Sequence, residues 1–278
     1  MEKKIIQISD VHFGALTFSD ELKSNLVSQI QDENPDFVIF AGDATDHGYI
    51  TEYNDAAAFV DELKATSEVH SIPGNHDARN VGILHFSRLI GERNFVRIDK
   101  KAGFAIIGLD SSQADVNSGD IGYDQMKWLR DELKKIPDDL GKFVTFHHHL
   151  LPVPQAGRER NILLDSGDLI QELVDYRVSF VLNGHKHVPN TWTMENMVVL
   201  NSGTATTGKL RGDTRPCYNQ MIIGEEGVDV YLVITETGQK QHLAKYSVEL
   251  KDEEFTICSH KHNQVSLFRI HFYDIDFF

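Results

Sequence analysis

Along its first two thirds the chain repeats one pattern: a short apolar run, a polar cluster, then apolar positions three or four residues apart. Residues 4–8 form the first run, too continuously apolar for a half-exposed strand and so predicted to be buried on both faces. Ser19, followed by Asp20 and Glu21, predicts a helix start, with Leu22, Leu26 and Ile30 on one face. A second strand follows at 37–41. Thr51 then opens a helix carrying Ala56, Phe59, Val60 and Leu63, and a third strand spans 69–72. Later come a strand at 104–109 and a helix capped by Asp124, with Met126, Leu129, Leu133 and Ile136 aligned and Pro137 closing it. A strand at 142–146, a long loop at 150–166, a short helix at 168–176 and a strand at 178–182 complete the series.

Strands alternating with helices predict a parallel sheet with helices on its faces, whose ligands bind beyond the carboxyl ends of the strands. After His187 the texture changes. Runs at 198–200, 220–223, 228–234 and 242–250 look like strands between glycine turns, predicting a second, largely antiparallel sheet packed on the first half. With no low-complexity linker, residues 1–250 are expected to share one domain. Residues 251–278, which mix Phe, Ile and His, are an extension open to two readings, an added hairpin or an oligomerisation arm.

Composition narrows the chemistry. A chain of 278 residues can bury a full core. Its formal net charge of −15 argues against a nucleic-acid partner, because backbone affinity comes from Lys and Arg. A small anionic substrate held through metal ions remains compatible. The 14 histidines exceed what packing needs. Cys217 and Cys258 lie far apart with no metal-ligand spacing and read as reduced structural cysteines. No apolar run approaches the roughly 20 residues of a membrane span, and no leader pattern precedes the first strand, so the expected location is cytoplasmic, with no membrane partner.

The polar clusters fall at strand ends: Asp10-Val11-His12, Gly42-Asp43, Gly74-Asn75-His76-Asp77, His147-His148-His149 and Gly184-His185-Lys186-His187. Asp10 and His12, two apart on an extended segment, are expected to leave the same side and share one ion; His185 and His187 repeat the spacing. Gly184 lets the backbone approach closely. Each cluster alone also suits an ordinary turn or a polar surface. Five strand ends carrying Asp, Asn or His at one sheet edge do not recur by accident. Nitrogen and oxygen donors without thiolates suit divalent Mn, Fe or Zn, and there are too many for one tetrahedral ion, so two ions sharing a carboxylate are expected. Such a pair suits in-line displacement at phosphorus. Arg158 and Arg160, in the long loop, are candidate phosphate contacts, set against the plainer reading of solvated loop arginines.

The ordered motifs Asp-x-His, Gly-Asp-x-x-Asp-x-Gly, Gly-Asn-His-Asp, a strand-terminal His and Gly-His-x-His, over residues 4–205, resemble the calcineurin-like metallophosphoesterases. The branch most resembled contains class III cyclic-nucleotide phosphodiesterases and glycerophosphodiesterases. The resemblance implies a four-layer α/β/β/α sandwich with two mixed sheets, the later strands forming the second, and a dinuclear metal site at the strand C-terminal edge. It implies Asp10, His12, Asp43 and His187 around one metal, and Asp43 (bridging), Asn75, His147 and His185 around the other, with His148 as the alternative to His147. Asn75 also faces the substrate. His76 would contact the phosphate or protonate the leaving group, oriented by Asp46. His47 stands where the protein phosphatases of the family carry an arginine. The implied activity is hydrolysis of a small phosphodiester, a cyclic nucleotide or glycerophosphodiester, by hydroxide generated between the ions. Phosphomonoesterase, nucleotidase or protein phosphatase activity is the alternative, and a non-catalytic scaffold is the alternative of another class. A homo-oligomer is left open.

Overall fold

The computed structural model describes residues 2–157, 162–212, 214–251 and 254–259. Strand and helix alternate through β1 (Lys3–Ile8), α1 (Asp20–Glu33), β2 (Phe37–Ala41), α2 (Ile50–Lys64) and β3 (Glu68–Ile72). There follow α3 (Gly82–Leu89), β4 (Phe95–Asp99), β5 (Phe104–Gly108), α4 (Gly122–Leu133), β6 (Gly141–Thr145), α5 (Ser166–Asp175) and β7 (Phe180–Asn183). The chain continues almost entirely as strand: β8 (Asn190–Met194), β9 (Met197–Asn201), β10 (Cys217–Gly224), β11 (Gly227–Ile234), β12 (Lys240–Lys251) and β13 (Glu254–Ser259). Residues 260–278 of the C-terminal extension lie outside the described residues.

These strands build two mixed sheets, ordered β13-β12-β11-β10-β1-β2-β3 and β4-β5-β6-β7-β9-β8. Because neighbouring side chains on a strand point to opposite faces, each buried strand feeds two cores. Ile5 and Ile39 join Phe104, Phe143 and Leu200 between the sheets. Ile6, Val38 and Phe40 turn outward onto Leu26 and Ile30 of α1 and Phe59 and Leu63 of α2. Ile107, Val144 and Val181 turn the other way onto Leu129 of α4 and Leu169 of α5. The result is the four-layer α/β/β/α sandwich.

The division of strands between the sheets departs from expectation. β1–β3 and β5–β7 do not share one parallel sheet, and the late strands do not form the second. The chain changes sheets after β3, and β10 returns to pair antiparallel with β1, Ile5 opposite Met221, so β10–β13 extend the first sheet. Local patterning cannot show this, since a strand buried on both faces reads alike in either sheet. The elements α3, β4 and β8 were not foreseen. β4 and β8 are edge strands, half-buried throughout or partly exposed, and carry no continuous apolar run.

The helix starts show how far local signals reach. Ser19 caps α1 as expected, its Oγ accepting the Leu22 N–H at 3.2 Å. Ser19→Ala is expected to cost about 1 kcal/mol, read as a lower urea midpoint at unchanged slope; an unmoved midpoint would mean that water caps this end equally well. Asp124, by contrast, lies inside the first turn of α4. The carboxylate that receives the Ile121 and Gly122 N–H groups at its start is Asp165, 43 or 44 residues away and invisible to a local reading. Cys217 and Cys258 sit on β10 and β13, with β11 and β12 between. Three inter-strand steps of about 4.8 Å put their backbones beyond disulfide reach.

Candidate metal centre

The five polar clusters converge because β1, β2 and β3 in one sheet, and β6 and β7 in the other, end on the same side of the sandwich. Asp10, His12, Asp43, Asn75, His147, His185 and His187 are all buried, and His76 is partly exposed beside them. Asp10 and His12 do share one locus, but not by extended geometry. Their φ angles are 55° and 53°, and Asp43 (56°), His185 (85°) and His187 (58°) are left-handed too. Each such residue costs about 1–3 kcal/mol unless its surroundings impose it. Here the two loops lock together: the Asp10 N–H donates to Gly42 O at 3.0 Å, His12 to Asp43 O at 3.0 Å and Phe13 to Ala44 O at 2.8 Å.

Two glycines permit the approach of the remaining loops. A Cβ on Gly184 would lie 1.8 Å from Ser9 Oγ and 2.8 Å from Asp10 Oδ2, and one on Gly42 would lie 2.6 Å from His147 Nδ1. Asp77 is a clamp. Its carboxylate accepts the N–H groups of Ala44 (3.1 Å), Thr45 (2.9 Å) and Gly74 (3.0 Å), tying the β2 and β3 loops together.

Among the described residues, three groups of acids and histidines bring their donor atoms within 4.8 Å of one another: Asp10–His12–His187, His12–Asp43–His76 and Asp10–Asp43–His147. His147 Nδ1 donates to Ala41 O at 2.8 Å and His187 Nδ1 to Lys209 O, while His12 Nδ1 faces Asp46 Oδ1 at 3.1 Å. With Nδ1 bonded to a carbonyl, His147 and His187 present Nε2 inward, as metal-ligating imidazoles do, whereas His12 Nδ1 and Asp46 Oδ1 meet as an ion-pair contact without a directed hydrogen bond. His12 Nε2 lies 3.0 Å from His187 Nε2 and 3.8 Å from Asp43 Oδ2; His147 Nε2 lies 3.1 Å from that same oxygen. Asp10 Oδ2 accepts the His185 N–H at 2.9 Å, leaving Oδ1 3.2 Å from His187 Nε2. Asp10 Oδ1 and His147 Nε2 are buried with no properly directed hydrogen bond. Such orphaned inward-facing polar atoms fit a cation that replaces the ring proton.

His185 stands outside the three groups, its Nδ1 2.8 Å from Asn75 Oδ1. His148 is committed elsewhere, to Ser111 Oγ at 2.8 Å and Asn117 O at 3.3 Å, which leaves His147 as the strand-terminal candidate. His76 lies in the second group, nearer the cluster than expected of a residue that only meets substrate. Asp46 serves two rings, with Oδ1 3.1 Å from both His12 Nδ1 and His76 Nδ1.

Burial alone would lower the His12 and His147 pKa values, but Asp10 and Asp46 around His12, and Asp43 and Asp10 around His147, outweigh it and hold both at about 9. Burial pushes Asp43 and Asp10 upward, and the surrounding histidines overcome it, leaving both carboxyls well below the usual range. His148 and His149, desolvated and beside the His147 charge, fall to about 3.

Above it opens a cavity of about 460 Å³ lined by Asp46, Asn75, His76, Arg79, Asn117 and His185 on one part and by 186–187 and 209–211 on the other. Arg79 donates to Asp46 O at 2.9 Å and to His76 Nε2 at 3.1 Å. Arg79, Asn117 and Lys209 escaped the sequence reading; Arg79, three residues past His76 in the same turn, was the one with a local signal. His47 does not line the cavity but lies 3.0 Å from Glu52 Oε1. Arg158 and Arg160 lie outside the described residues.

The family model described as calcineurin-like phosphoesterase matches residues 3–189. The chain is 30% identical over 212 residues to the "Probable cyclic nucleotide phosphodiesterase" of Rhodococcus erythropolis, covering 70% of this chain and 68% of that one. It is 29% identical over 218 residues to the "Probable glycerophosphodiester phosphodiesterase GpdQ" of Arcobacter nitrofigilis, covering 72% and 77%. The purple acid phosphatase PPD1 of yellow lupin superposes with a TM-score of 0.67 at 13% identity, covering 87% of this chain and 53% of that one, a likeness of fold.

Proposed function

As a member of the calcineurin-like phosphoesterase family, this chain is a metallophosphoesterase, and we propose that it hydrolyses a small phosphodiester, a cyclic nucleotide or a glycerophosphodiester, with two divalent cations. The observation that carries the reading is the convergence of the Nε2 atoms of His12, His147 and His187 with the carboxylates of Asp10 and Asp43 beneath an open cavity. Asp10, His12, Asp43 and His187 would hold one cation; Asp43, Asn75, His147 and His185 the other. When bound, the pair would make a water nucleophilic near neutral pH and offset the charge developing on phosphorus. Mn, Fe and Zn all suit such donors.

The chain's own residues supply the rest. Backbone carbonyls at Ala41 and Lys209 hold His147 and His187 in one tautomer. The Asp46 carbonyl orients His76, its carboxylate lies against both His12 and His76, and Arg79 and His76 present hydrogen-bonding groups from the cavity wall. Metal-loaded protein is expected to hydrolyse bis-p-nitrophenyl phosphate in preference to p-nitrophenyl phosphate and to settle at two metal equivalents by elemental analysis. One equivalent at saturation, or preference for the monoester, would sink the corresponding half of the reading.

Metal affinity should also depend on pH in a defined sense. In metal-free protein the raised pKa values of His12 and His147, about 9, keep both rings protonated at neutral pH, so cation binding must expel protons. Affinity therefore rises with pH until about 9. The stability that the charged rings lend the metal-free fold is complete below about 6.5 and is lost as pH rises through about 9. Calorimetric metal titrations in buffers of different ionisation enthalpy measure the protons released; identical heats in all buffers at pH 7.5 would contradict the prediction.

A further inference from the structure

The rim of the cavity carries more positive charge than a simple phosphodiester uses. Arg79, Lys186, Lys209 and Arg211 line it, against Asp46 as the one carboxylate among the described lining residues, in a chain of net charge −15. Arg79 is spoken for by Asp46 O, His76 and Asn117 Oδ1. Among the described residues the Lys209 ammonium pairs only with Asp46, at 3.6 Å with about half of its side chain exposed, and Arg211 is exposed with no ion pair. Lys209 is held in register with the centre, and Arg211 follows two residues on in the same segment. Lys209 O receives His187 Nδ1, the Lys209 N–H donates to Thr207 Oγ1 at 3.2 Å, and Arg211 O accepts from Thr214 Oγ1 at 2.8 Å. The described lining contains one apolar residue, Leu210, and no Phe, Tyr or Trp on which a nucleobase could stack.

Resting on the phosphodiesterase reading above, we infer that this site selects diesters whose alcohol portion bears a further anionic group, a second phosphate above all, and that Lys209 and Arg211 determine that selectivity. A single diester charge is met at the centre itself, whereas the rim cations gain a charge-assisted partner only from a substrate with an anion beyond the scissile group.

The matched pair glycerophosphoinositol and glycerophosphoinositol 4-phosphate tests this with manganese-loaded full-length protein, turnover being followed by phosphorus NMR. The expected kcat/KM ratio is at least about tenfold in favour of the phosphorylated diester, with most of the difference in KM. In Lys209→Gln and Arg211→Gln the ratio should fall toward one. Calorimetry with inositol 1,4-bisphosphate against inositol 1-phosphate should show the same preference in binding, and it decides by the same criterion if neither diester turns over. A ratio near or below one, or a ratio unchanged in both variants, overturns the inference. Hydrolysis of bis-p-nitrophenyl phosphate without any such preference leaves the phosphodiesterase reading standing, whereas failure on every diester sinks that reading instead.

Discussion

Asp43→Asn is expected to lose occupancy of both metal sites together and to lower diester hydrolysis to below about a thousandth of the parent rate. The reason lies in how its two oxygens are used. Oδ1 accepts the His76 N–H at 2.8 Å, anchoring the β3 loop, and Oδ2 lies between two imidazoles, 3.1 Å from His147 Nε2 and 3.8 Å from His12 Nε2. One ring belongs to each proposed site, so Oδ2 is the atom placed to serve both. An amide keeps the shape but cannot do both jobs: its single oxygen either holds the His76 N–H or faces the rings, and its NH₂, a donor, then confronts a cation in the first case and the His76 N–H in the second. The charge goes as well, and with it much of what would offset the mutual repulsion of two bound dications. Asp10→Asn removes the same charge from one side only, since Asp10 Oδ1 faces His187 at 3.2 Å, and should mainly weaken the first site. Metal titration of both variants, followed by bis-p-nitrophenyl phosphate hydrolysis and elemental analysis, separates the two. Near-parent activity of Asp43→Asn at modest metal concentration would end the bridging assignment.

What could be read in advance follows the range of the forces involved. Strands β1, β2, β5, β6 and β7 announce themselves because central strands buried on both faces need unbroken apolar runs. The position of the centre was legible too, since each of those strands, and β3, ends in a polar group that a buried edge would otherwise exclude. The sheet assignment of β10–β13 was not legible, because pairing with β1 is decided by partners more than 200 residues away. Nor was the cap of α4 by Asp165.

The local geometry at Asp10–His12 was anticipated for the wrong reason. Alternation on a strand would have put both side chains on one side, yet the chain achieves convergence with left-handed backbone at Asp10, His12, Asp43, His185 and His187. That choice spends conformational energy to aim side chains. The loop-to-loop ladder between 10–13 and 42–44 makes it tolerable, and such a ladder is a tertiary fact with no sequence signature. The rim cations Lys209 and Arg211 were missed for a similar reason: tertiary contacts such as Lys209 O with His187 Nδ1 and the Lys209–Asp46 pair bring that segment over the site.

His76→Ala is expected to lower kcat by about 10²–10⁴ while leaving metal content near two equivalents. The His76 ring lines the cavity, Nδ1 donating to Asp46 O at 2.8 Å and Nε2 accepting from Arg79 Nη2 at 3.1 Å. Because Nδ1 is taken by the Asp46 carbonyl, Nε2 is the atom left for a bound phosphate or leaving oxygen, which it meets only as an N–H donor, exchanging its Arg79 contact for the substrate. A group so placed acts on the substrate, and its loss should appear in kcat more than in metal affinity. The competing possibility is concrete, since His76 has a ring nitrogen within 4.8 Å of donor atoms on His12 and Asp43 and so has the position of a ligand. The two roles differ in what survives. A substrate-facing His76 leaves His12, Asp43 and their neighbours to hold the cations, so excess metal restores nothing. A ligating His76 gives a variant with one equivalent lost and activity that recovers as metal is added. Elemental analysis of the purified variant, followed by a metal titration of its residual hydrolysis, distinguishes them, and recovery toward the parent rate would move His76 from the substrate's side of the cavity to the metal's.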